Sequence, residues 1–240
     1  MHIPDGYLGP LTFIPLFIIM IPIWLYAGKK VQAELKSRQV PLLALAAAFA
    51  FVIMMFNMPV PGGSSGHAVG GALIAIVLGP WAAVISISVA LLIQCILFGD
   101  GGVTAFGANC FNMAVVIPFV GYFIYRLISG NSNVGSSRRI IAAVVAGYLG
   151  LCVASGVAGF EMGLQPILYP AIDGQAQYMP YSLNVTVPAM LAEHMLFFGI
   201  LEAIVTGLVF AYIQRTDVTM LYGYKAADKA EVKGAAVAAS

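Results

Sequence analysis

The chain has 240 residues, of which 61% are hydrophobic and 9% are charged, whereas an average soluble domain is about 25% charged. Its formal net charge of +1 provides no electrostatic attraction for nucleic acid or for a strongly acidic partner. A water-soluble core cannot bury this share of apolar side chains, but a lipid bilayer can. The composition therefore excludes an ordinary soluble domain and predicts an all-α integral membrane protein.

The N-terminus reads Met1-His2-Ile3-Pro4-Asp5-Gly6, with no Lys or Arg before Lys29 and no small-residue cleavage site. A cleaved secretory signal would have a basic start and such a site, so we expect the first apolar segment to remain as a membrane helix. We also expect Met1 to remain the terminal residue, because removal of an initiator methionine usually requires a small second residue and His2 is large.

Seven membrane helices are predicted along the chain. A spanning helix needs about 20 mostly apolar residues. Segment 67–98 is too long for one simple span, and Gly79-Pro80 divides it, because proline disfavours helix at the preceding residue. The predicted helices cover 8–28, 41–57, 67–78, 80–98, 103–128, 138–162 and 188–213.

Basic residues predict the orientation of these helices, since cytoplasmic loops carry the excess of Lys and Arg. We assign to the cytoplasmic side Lys29, Lys30, Lys36, Arg38, Arg126, Arg138, Arg139, Arg215, Lys225, Lys229 and Lys233. The assignments agree only if 67–98 crosses twice, which puts the N-terminus outside and the C-terminus inside. We predict one transmembrane domain over 1–215 and a cytoplasmic tail over 216–240. The sequence has no GxxxxGK[ST] phosphate loop, so ATP hydrolysis by that machinery would need partners.

Several polar segments meet on the outer side in this topology. They are rich in glycine and proline, which permit non-helical backbone close to a ligand, and they cover 1–6, 57–67, 99–112 and 161–187. Of the three histidines, His2 and His67 belong to this side. His194 is expected within about two turns of the outer end of the last helix.

Histidine at position two has a coordination chemistry of its own. The α-amine of Met1, the amide nitrogen of His2 and its imidazole can form fused chelate rings around one divalent ion, and His67 would supply a fourth nitrogen. Square-planar nitrogen coordination favours Ni²⁺ or Cu²⁺ over Zn²⁺, Mg²⁺ or Ca²⁺, and the amide nitrogen can join only if the metal drives off its proton. The residues therefore predict a metal-capture site at Met1, His2 and His67.

Four motifs resemble the CbiM/NikM family, the substrate-capture subunits of energy-coupling-factor transporters for cobalt and nickel. They occur in order over nearly all of residues 1–215: Met1-His2-Ile3-Pro4-Asp5-Gly6-Tyr7-Leu8, then Asn57-Met58-Pro59-Val60-Pro61-Gly62-Gly63-Ser64-Ser65-Gly66-His67, then Leu97-Phe98-Gly99-Asp100-Gly101-Gly102-Val103-Thr104-Ala105-Phe106-Gly107-Ala108-Asn109 with Phe111-Asn112-Met113, and Glu193-His194 with Gly199-Ile200-Leu201-Glu202-Ala203-Ile204-Val205-Thr206.

The resemblance implies a fold of six core helices with one extra N-terminal helix, and the same metal ligands, Met1, His2 and His67. It implies a transporter subunit, not an enzyme, in the cell membrane of a prokaryote. Its partners would be membrane lipid, a transmembrane coupling subunit, two cytoplasmic ATPase subunits and a small accessory membrane subunit. Ni²⁺ and Co²⁺ both fit the family, and planar geometry favours nickel.

Four further residues are expected to support the metal or its loops: Ser65, Asp100, Asn109 and His194. Asp100 would attract a cation or hold His67 in one tautomer, as carboxylates behind metal ligands do, or would only form a turn. Asn109 and Asn112 would either bond the loop beside the metal or pack between helices.

Two other function classes compete with metal capture. A self-sufficient secondary transporter or channel usually carries ionisable residues along its pathway, whereas the mid-membrane charge here is essentially Glu202, for which we predict a structural role with a partner such as Thr206 or Gln94. A membrane enzyme would use Glu193, His194 or Glu202. A catalytic metal keeps an open position, which four planar nitrogens do not provide.

Small residues have two interpretations of equal weight on the second helix. Small side chains let membrane helices approach closely, so Ala44, Ala46, Ala47, Ala48 and Ala50 would contact either the coupling subunit or the chain's own helices. The three cysteines, Cys95, Cys110 and Cys152, match no zinc or disulfide spacing and are predicted to be small core residues.

Overall fold

The structure, a computed structural model, describes residues 1–34 and 40–223, and its regular secondary structure is almost wholly helical. The helices are α1 (Pro10–Glu34), α2 (Val40–Met54), α3 (Gly71–Leu78), α4 (Pro80–Ile93), α5 (Phe106–Cys110), α6 (Ile117–Ser129), α7 (Ser137–Gly163), α8 (Gln165–Leu168), α9 (Leu183–Glu193) and α10 (Gly199–Thr216). Two-residue strands β1 (Met58–Pro59) and β2 (Ser65–Gly66) form an antiparallel hairpin. The predicted all-α, polytopic fold class is confirmed.

Five helical stretches of the described residues are long and apolar enough to cross a membrane. They are Pro10–Glu34, Pro80–Phe98, Phe106–Ser129, Ser137–Leu168 and Leu183–Thr216. Helix α2 is shorter, with 15 residues, and α3 has eight, which corresponds to a rise of about 12 Å. The count of seven spans therefore stays a prediction, as does the orientation.

The predicted connection 161–187 is shorter in the structure, mainly because α9 begins at Leu183 although Pro188 lies inside it. Helix α7 ends at Gly163, one residue beyond the predicted helix 138–162. The polar groups in these turns find partners on neighbouring helices instead of water: the Thr186 hydroxyl donates to the Gly159 carbonyl at 2.7 Å. The predicted helix 103–128, by contrast, begins later than expected, at Phe106.

Helix α3 lies at the centre of the bundle. It is apolar on all sides, as buried helices are, and it packs against α4, α6, α7 and α10. Small residues allow this density: a Cβ at Gly121 of α6 would lie 2.6 Å from the Ala72 Cβ. Because α3 begins four residues after His67, the core holds the end of the loop that carries this histidine.

The alanine-rich face of α2 is divided between two environments. Ala46 and Ala50 are buried within the chain, whereas Ala44 and Ala48 are exposed. Internal packing on α4 thus accounts for part of the small-residue pattern. The three cysteines are buried and unpaired, as predicted for core residues.

The described part of the predicted tail is packed on the bundle. Val218–Met220 form a 3₁₀ turn, the Tyr222 amide donates to the Ile76 carbonyl at 3.2 Å, and its hydroxyl donates to Glu34 Oε2 at 3.2 Å. The rest of the tail and the basic residues Lys36, Arg38, Lys225, Lys229 and Lys233 lie outside the described residues.

Candidate metal centre

The N-terminal segment is folded into the interior of the bundle. Met1 and Ile3 are fully buried, and His2 is 4% exposed. Asn109 holds the segment with two hydrogen bonds: its Oδ1 accepts from the Ile3 amide at 2.8 Å, and its Nδ2 donates to the Ile3 carbonyl at 3.0 Å. Of the two interpretations for Asn109, the structure therefore supports loop bonding.

Asp5 joins the N-terminal segment to the loop after α4. Its carboxylate accepts from the Val103 amide at 3.0 Å, from the Thr104 amide at 2.8 Å and from the Thr104 hydroxyl at 2.5 Å. Gly102 is required at this contact, because a Cβ there would lie 2.4 Å from the Asp5 nitrogen. Burial alone would raise the pKa of Asp5, but these hydrogen bonds outweigh it and lower the pKa.

Replacing Asp5 with Asn is expected to loosen this junction. We expect amide hydrogen exchange at Val103 and Thr104 to become about tenfold faster at pH 7, since a hydrogen bond to a charged group contributes roughly 1.5–3 kcal/mol and this one is partly exposed. The folded-state pKa of Asp5 is lowered, so its contribution is present above the ordinary value of 3.8 and is lost as the pH falls through the folded value.

The control for this prediction is Asp173→Asn, which changes another exposed aspartate, in the loop 169–182. It should leave exchange at Val103 and Thr104 unchanged. Equal exchange in native protein and Asp5→Asn at pH 7 would contradict the proposed role of Asp5.

Ser65, in the β1–β2 hairpin, contacts both nitrogens at the start of the chain. Its carbonyl accepts a short hydrogen bond from the Met1 amine, and its hydroxyl accepts from the Met1 amine at 3.1 Å and from the His2 amide at 3.2 Å. The hairpin thus places the amine and the adjacent amide side by side, next to the loop that leads to His67.

The tautomer of His2 follows from Gln94, which lies at the start of a π-helical turn, Gln94–Phe98. Gln94 Oε1 lies 3.2 Å from His2 Nε2, and a carbonyl oxygen can only accept, so Nε2 carries the proton. Gln94 is itself oriented, because its Nε2 donates to the Phe51 carbonyl at 3.4 Å. The other ring nitrogen, His2 Nδ1, is consequently unprotonated, and it is buried without a hydrogen-bond partner.

His67 has the opposite tautomer. Its Nδ1 donates to the Ala68 carbonyl at 3.1 Å, which leaves Nε2 unprotonated, buried and without a hydrogen-bond partner. The rings of His2 and His67 lie with their centroids 4.6 Å apart and their planes inclined by 34°. Two bare imidazole nitrogens thus belong to neighbouring rings beside the Met1 amine.

Burial keeps these groups neutral. It lowers the pKa of the Met1 amine to about 4 and that of His2 to about 3, and it lowers the pKa of His67 well below its ordinary value. For both histidines, the nearby amine lowers the pKa further. At neutral pH the amine and both imidazoles therefore keep lone pairs that are free of protons, which metal ligation requires.

Among the described residues, no three or more His, Cys, Asp and Glu side chains are grouped so that they could hold a metal ion. A candidate centre built on Met1 and His2 would take two of its four nitrogens from the main chain, so it would not form a cluster of side chains. Position two of the sequence is the signal that reveals it.

Asp100 lies beside His2 and not beside His67, so of its three interpretations the structure does not support the one in which it orients His67. Its Oδ1 is 3.6 Å from His2 Nδ1, and its Oδ2 accepts from Asn57 Nδ2 at 2.9 Å. Burial raises the pKa of Asp100, and the Met1 amine opposes this shift. The reason for the difference is that the N-terminal segment folds between the loop of Asp100 and that of His67.

The other predicted residues have mixed outcomes. His194 is fully buried; its Nδ1 donates to the Met190 carbonyl at 2.8 Å, and its Nε2 has no hydrogen-bond partner. Asn112 packs between helices, since its Nδ2 donates to Glu161 at 2.7 Å. Among the described residues, the Glu202 carboxylate has no hydrogen bond to either predicted partner, Thr206 or Gln94. Its oxygens accept instead from main-chain amides after His67.

Sequence reasoning missed Gln94 as a site residue. A glutamine within an apolar helix is the only sequence signal, and the π-helical turn that begins there has none. Two further π-helical turns, Phe111–Val116 and His194–Phe198, carry Asn112 and His194. Such turns are frequent at functional sites.

Comparisons with known proteins identify the family. Residues 2–220 match the CbiM family, described as the cobalt uptake substrate-specific transmembrane region. The chain belongs to this family. Its members and the relatives below are metal transport proteins and not enzymes, so the chain is a multi-pass membrane component of a metal transport system.

Three relatives cover most of the chain. A fused nickel transport protein NikMN of Rhodobacter capsulatus is 50% identical over 92% of the chain, and a probable fused nickel transport protein LarMN of Lactiplantibacillus plantarum is 48% identical over 92%. The matches span only 64% and 67% of those two proteins. A putative metal transport protein of Methanocaldococcus jannaschii is 49% identical, over 90% of the chain and 92% of the relative.

A solved structure supports the fold. The crystal structure of a truncated transition metal transporter superposes with a TM-score of 0.85 at 48% identity, over 90% of this chain and 99% of that one. The match therefore includes nearly all the helices that position the candidate centre.

Proposed function

We propose that the chain captures one Ni²⁺ ion through four nitrogens: the Met1 amine, the His2 amide, His2 Nδ1 and His67 Nε2. The proposal rests on one observation above all: the hydrogen bonds of both imidazoles leave bare the nitrogens that can complete such a set, in rings 4.6 Å apart. Co²⁺ is the alternative substrate.

The chemistry of these donors supports a planar complex. The Met1 amine and His2 amide close a five-membered ring with the metal, and the amide and Nδ1 close a six-membered ring. The ion takes the place of the His2 amide proton, which leaves to water, and Ni²⁺ binding is thus coupled to the release of this proton. His67 Nε2 completes the plane, a geometry that suits Ni²⁺ or Cu²⁺.

The supporting residues hold this arrangement before metal arrives. Gln94 selects the His2 tautomer, Asn109 anchors Ile3, and Ser65 accepts from the two main-chain nitrogens. The Ser65 contacts are exchanged for the metal on binding. Asp100 attracts the cation, and His194 supports the site from the π-helical turn His194–Phe198 without ligating the metal.

The names of the relatives support nickel in this proposal. Proteins named for nickel transport are 50% and 48% identical to this chain, whereas two cobalt transport proteins CbiM are 34% and 38% identical over 67% and 65% of the chain. A planar four-nitrogen set favours the same metal.

Transport requires further components in this proposal. Residues 1–215 form the capture domain in a prokaryotic cell membrane, open to the outside, and 216–240 form a cytoplasmic tail. A transmembrane coupling subunit and two ATPase subunits of the energy-coupling-factor type drive release of the ion inward, aided by a small accessory membrane subunit. A tightly chelated ion does not leave unaided, and the two fused relatives extend well beyond the part that this chain matches.

Metal titration of the purified native chain tests the proposal. We expect one Ni²⁺ per chain, with the yellow d–d absorption of a planar nitrogen complex, and the release of protons to the buffer. The absence of binding would contradict the site. So would an octahedral-type spectrum that stays the same when the Met1 amine is blocked or His67 is replaced. Uptake that persists in cells without the ATPase subunits would contradict the coupling and would favour a self-sufficient transporter.

A further inference from the structure

Glu202 of α10 is a buried carboxylate that the metal chemistry above does not use. Its side chain is fully buried, and it faces the segment 67–70 between β2 and α3. Oε2 accepts from the Val69 amide at 2.8 Å and from the Gly70 amide at 2.9 Å, and Oε1 lies 2.9 Å from the same Gly70 amide.

The segment 67–70 depends on this carboxylate. All four residues are buried, and within 1–34 and 40–223 no main-chain carbonyl accepts from the Val69 or Gly70 amide. A buried amide without a partner is costly, so the segment is held where Glu202 can reach it. Gly70 turns the chain into α3 with φ of +77°, and a Cβ there would lie 2.4 Å from the Phe49 ring.

A single peptide group connects Glu202 to His67. The peptide between Ala68 and Val69 is a rigid plane whose N–H donates to Glu202 and whose carbonyl accepts from His67 Nδ1 at 3.1 Å. The hydrogen bond on one side of the plane orients the carbonyl on the other. This arrangement is comparable to a carboxylate that orients a metal-ligating histidine, with one peptide group inserted between the two.

We propose that Glu202 is a positioning residue for His67: through the Ala68–Val69 peptide it sets the tautomer and direction of the imidazole that presents Nε2 to the metal. The proposal rests on the proposed function, since it assigns Glu202 to the same site. In this proposal the carboxylate in the span orients a metal ligand and does not lie on an ion pathway.

The test compares Ni²⁺ affinity and visible spectrum in a double-mutant cycle of Glu202→Ala and His67→Ala. We expect Glu202→Ala to weaken binding about 10–100-fold, the usual cost of losing a partner behind a metal ligand, and to shift the spectrum towards that of His67→Ala. In the His67→Ala background the Glu202 substitution should cost nothing more, because coupled residues are non-additive.

Two further variants keep the test decisive. Thr206→Val is the matched control, because Thr206 is one turn away, equally buried, and its hydroxyl has no hydrogen-bond partner; it should bind Ni²⁺ like native protein. Should Glu202→Ala not fold, Glu202→Asp takes its place in the cycle. It keeps the charge but withdraws the carboxylate by one methylene, so it should weaken binding only when His67 is present.

The outcomes separate the two proposals. Two results would overturn the role of Glu202 and leave the metal site standing. One is native Ni²⁺ affinity in a folded Glu202 variant, and the other is a double variant whose loss of affinity equals the sum of the two single losses. If His67→Ala itself binds Ni²⁺ like native protein, the proposed site is wrong, and the role of Glu202 is overturned with it.

Discussion

Acetylating the Met1 amine is expected to reduce Ni²⁺ affinity by more than about a hundredfold, beyond the usual cost of losing an outer partner of a metal ligand. The modification converts the amine into an amide and removes the first donor of the fused chelate rings. The fully buried Met1 and its contacts with Ser65 also leave the acetyl group no place in the native arrangement. Loss of the planar d–d absorption in a nickel titration would report the effect.

The control is a precursor with a cleavable leader. Before cleavage it should bind no better than the acetylated chain, and after a protease exposes Met1 as the terminus it should recover native affinity and spectrum. Native affinity in the acetylated chain would show that the terminal amine is not a ligand, and the donor set would have to be sought among His67, His194 and Asp100.

Replacing His67 with Ala is the second change with a large expected effect. It removes the fourth nitrogen, so water or another weaker donor completes the coordination. We expect a loss of more than about tenfold in Ni²⁺ affinity, since the loss of one ligand should exceed the lower end of the cost of losing an outer partner. The d–d band should also move to longer wavelength, because the ligand field is weaker. Calorimetry and visible spectroscopy measure the two effects.

His194→Ala is the matched control for this substitution. Both histidines are fully buried, both donate through Nδ1 to a main-chain carbonyl, and both have an Nε2 without a hydrogen-bond partner. Only His67 lies against the His2 ring. His194→Ala should therefore keep the planar spectrum. A larger loss of Ni²⁺ affinity in His194→Ala than in His67→Ala would indicate that His194, and not His67, is the metal ligand.

The sequence predicts those features of the candidate centre that involve residues adjacent in the chain, and it does not predict those that depend on contacts between distant segments. Met1 and His2 are adjacent, so their chelate rings can be proposed from covalent structure alone, and glycine-rich loops predicted that distant segments would meet. The position of Asp100 beside His2 was not predicted, because the N-terminal segment enters between two loops and no pattern in the sequence reports this path. Glu202 was identified as unusual, but its main-chain partners were not.

The boundaries of the helices were also predicted only in part: some follow from the sequence alone, and others depend on contacts with other helices. Apolar length was enough to predict the long helices, since the bilayer requires about 20 apolar residues for a span. Thr186 was predicted to lie in the connection 161–187, but it lies in α9 because another helix supplies its hydrogen bond. In a membrane protein polarity indicates a loop only where water, and not a neighbouring helix, satisfies the polar groups.

The sequence by itself determined the membrane-helical class, the resemblance to a metal-transport family and the nitrogen-bearing residues of the candidate centre, because these follow from composition, from motifs and from neighbours in the chain. Only the tertiary structure decided which nitrogens are available. Gln94, 92 residues from His2, selects the His2 tautomer, and the Ala68 carbonyl, in a peptide held by Glu202, selects that of His67. The position of a ring proton depends on the acceptor that the fold brings to it, and burial then removes the water that would otherwise occupy the other nitrogen.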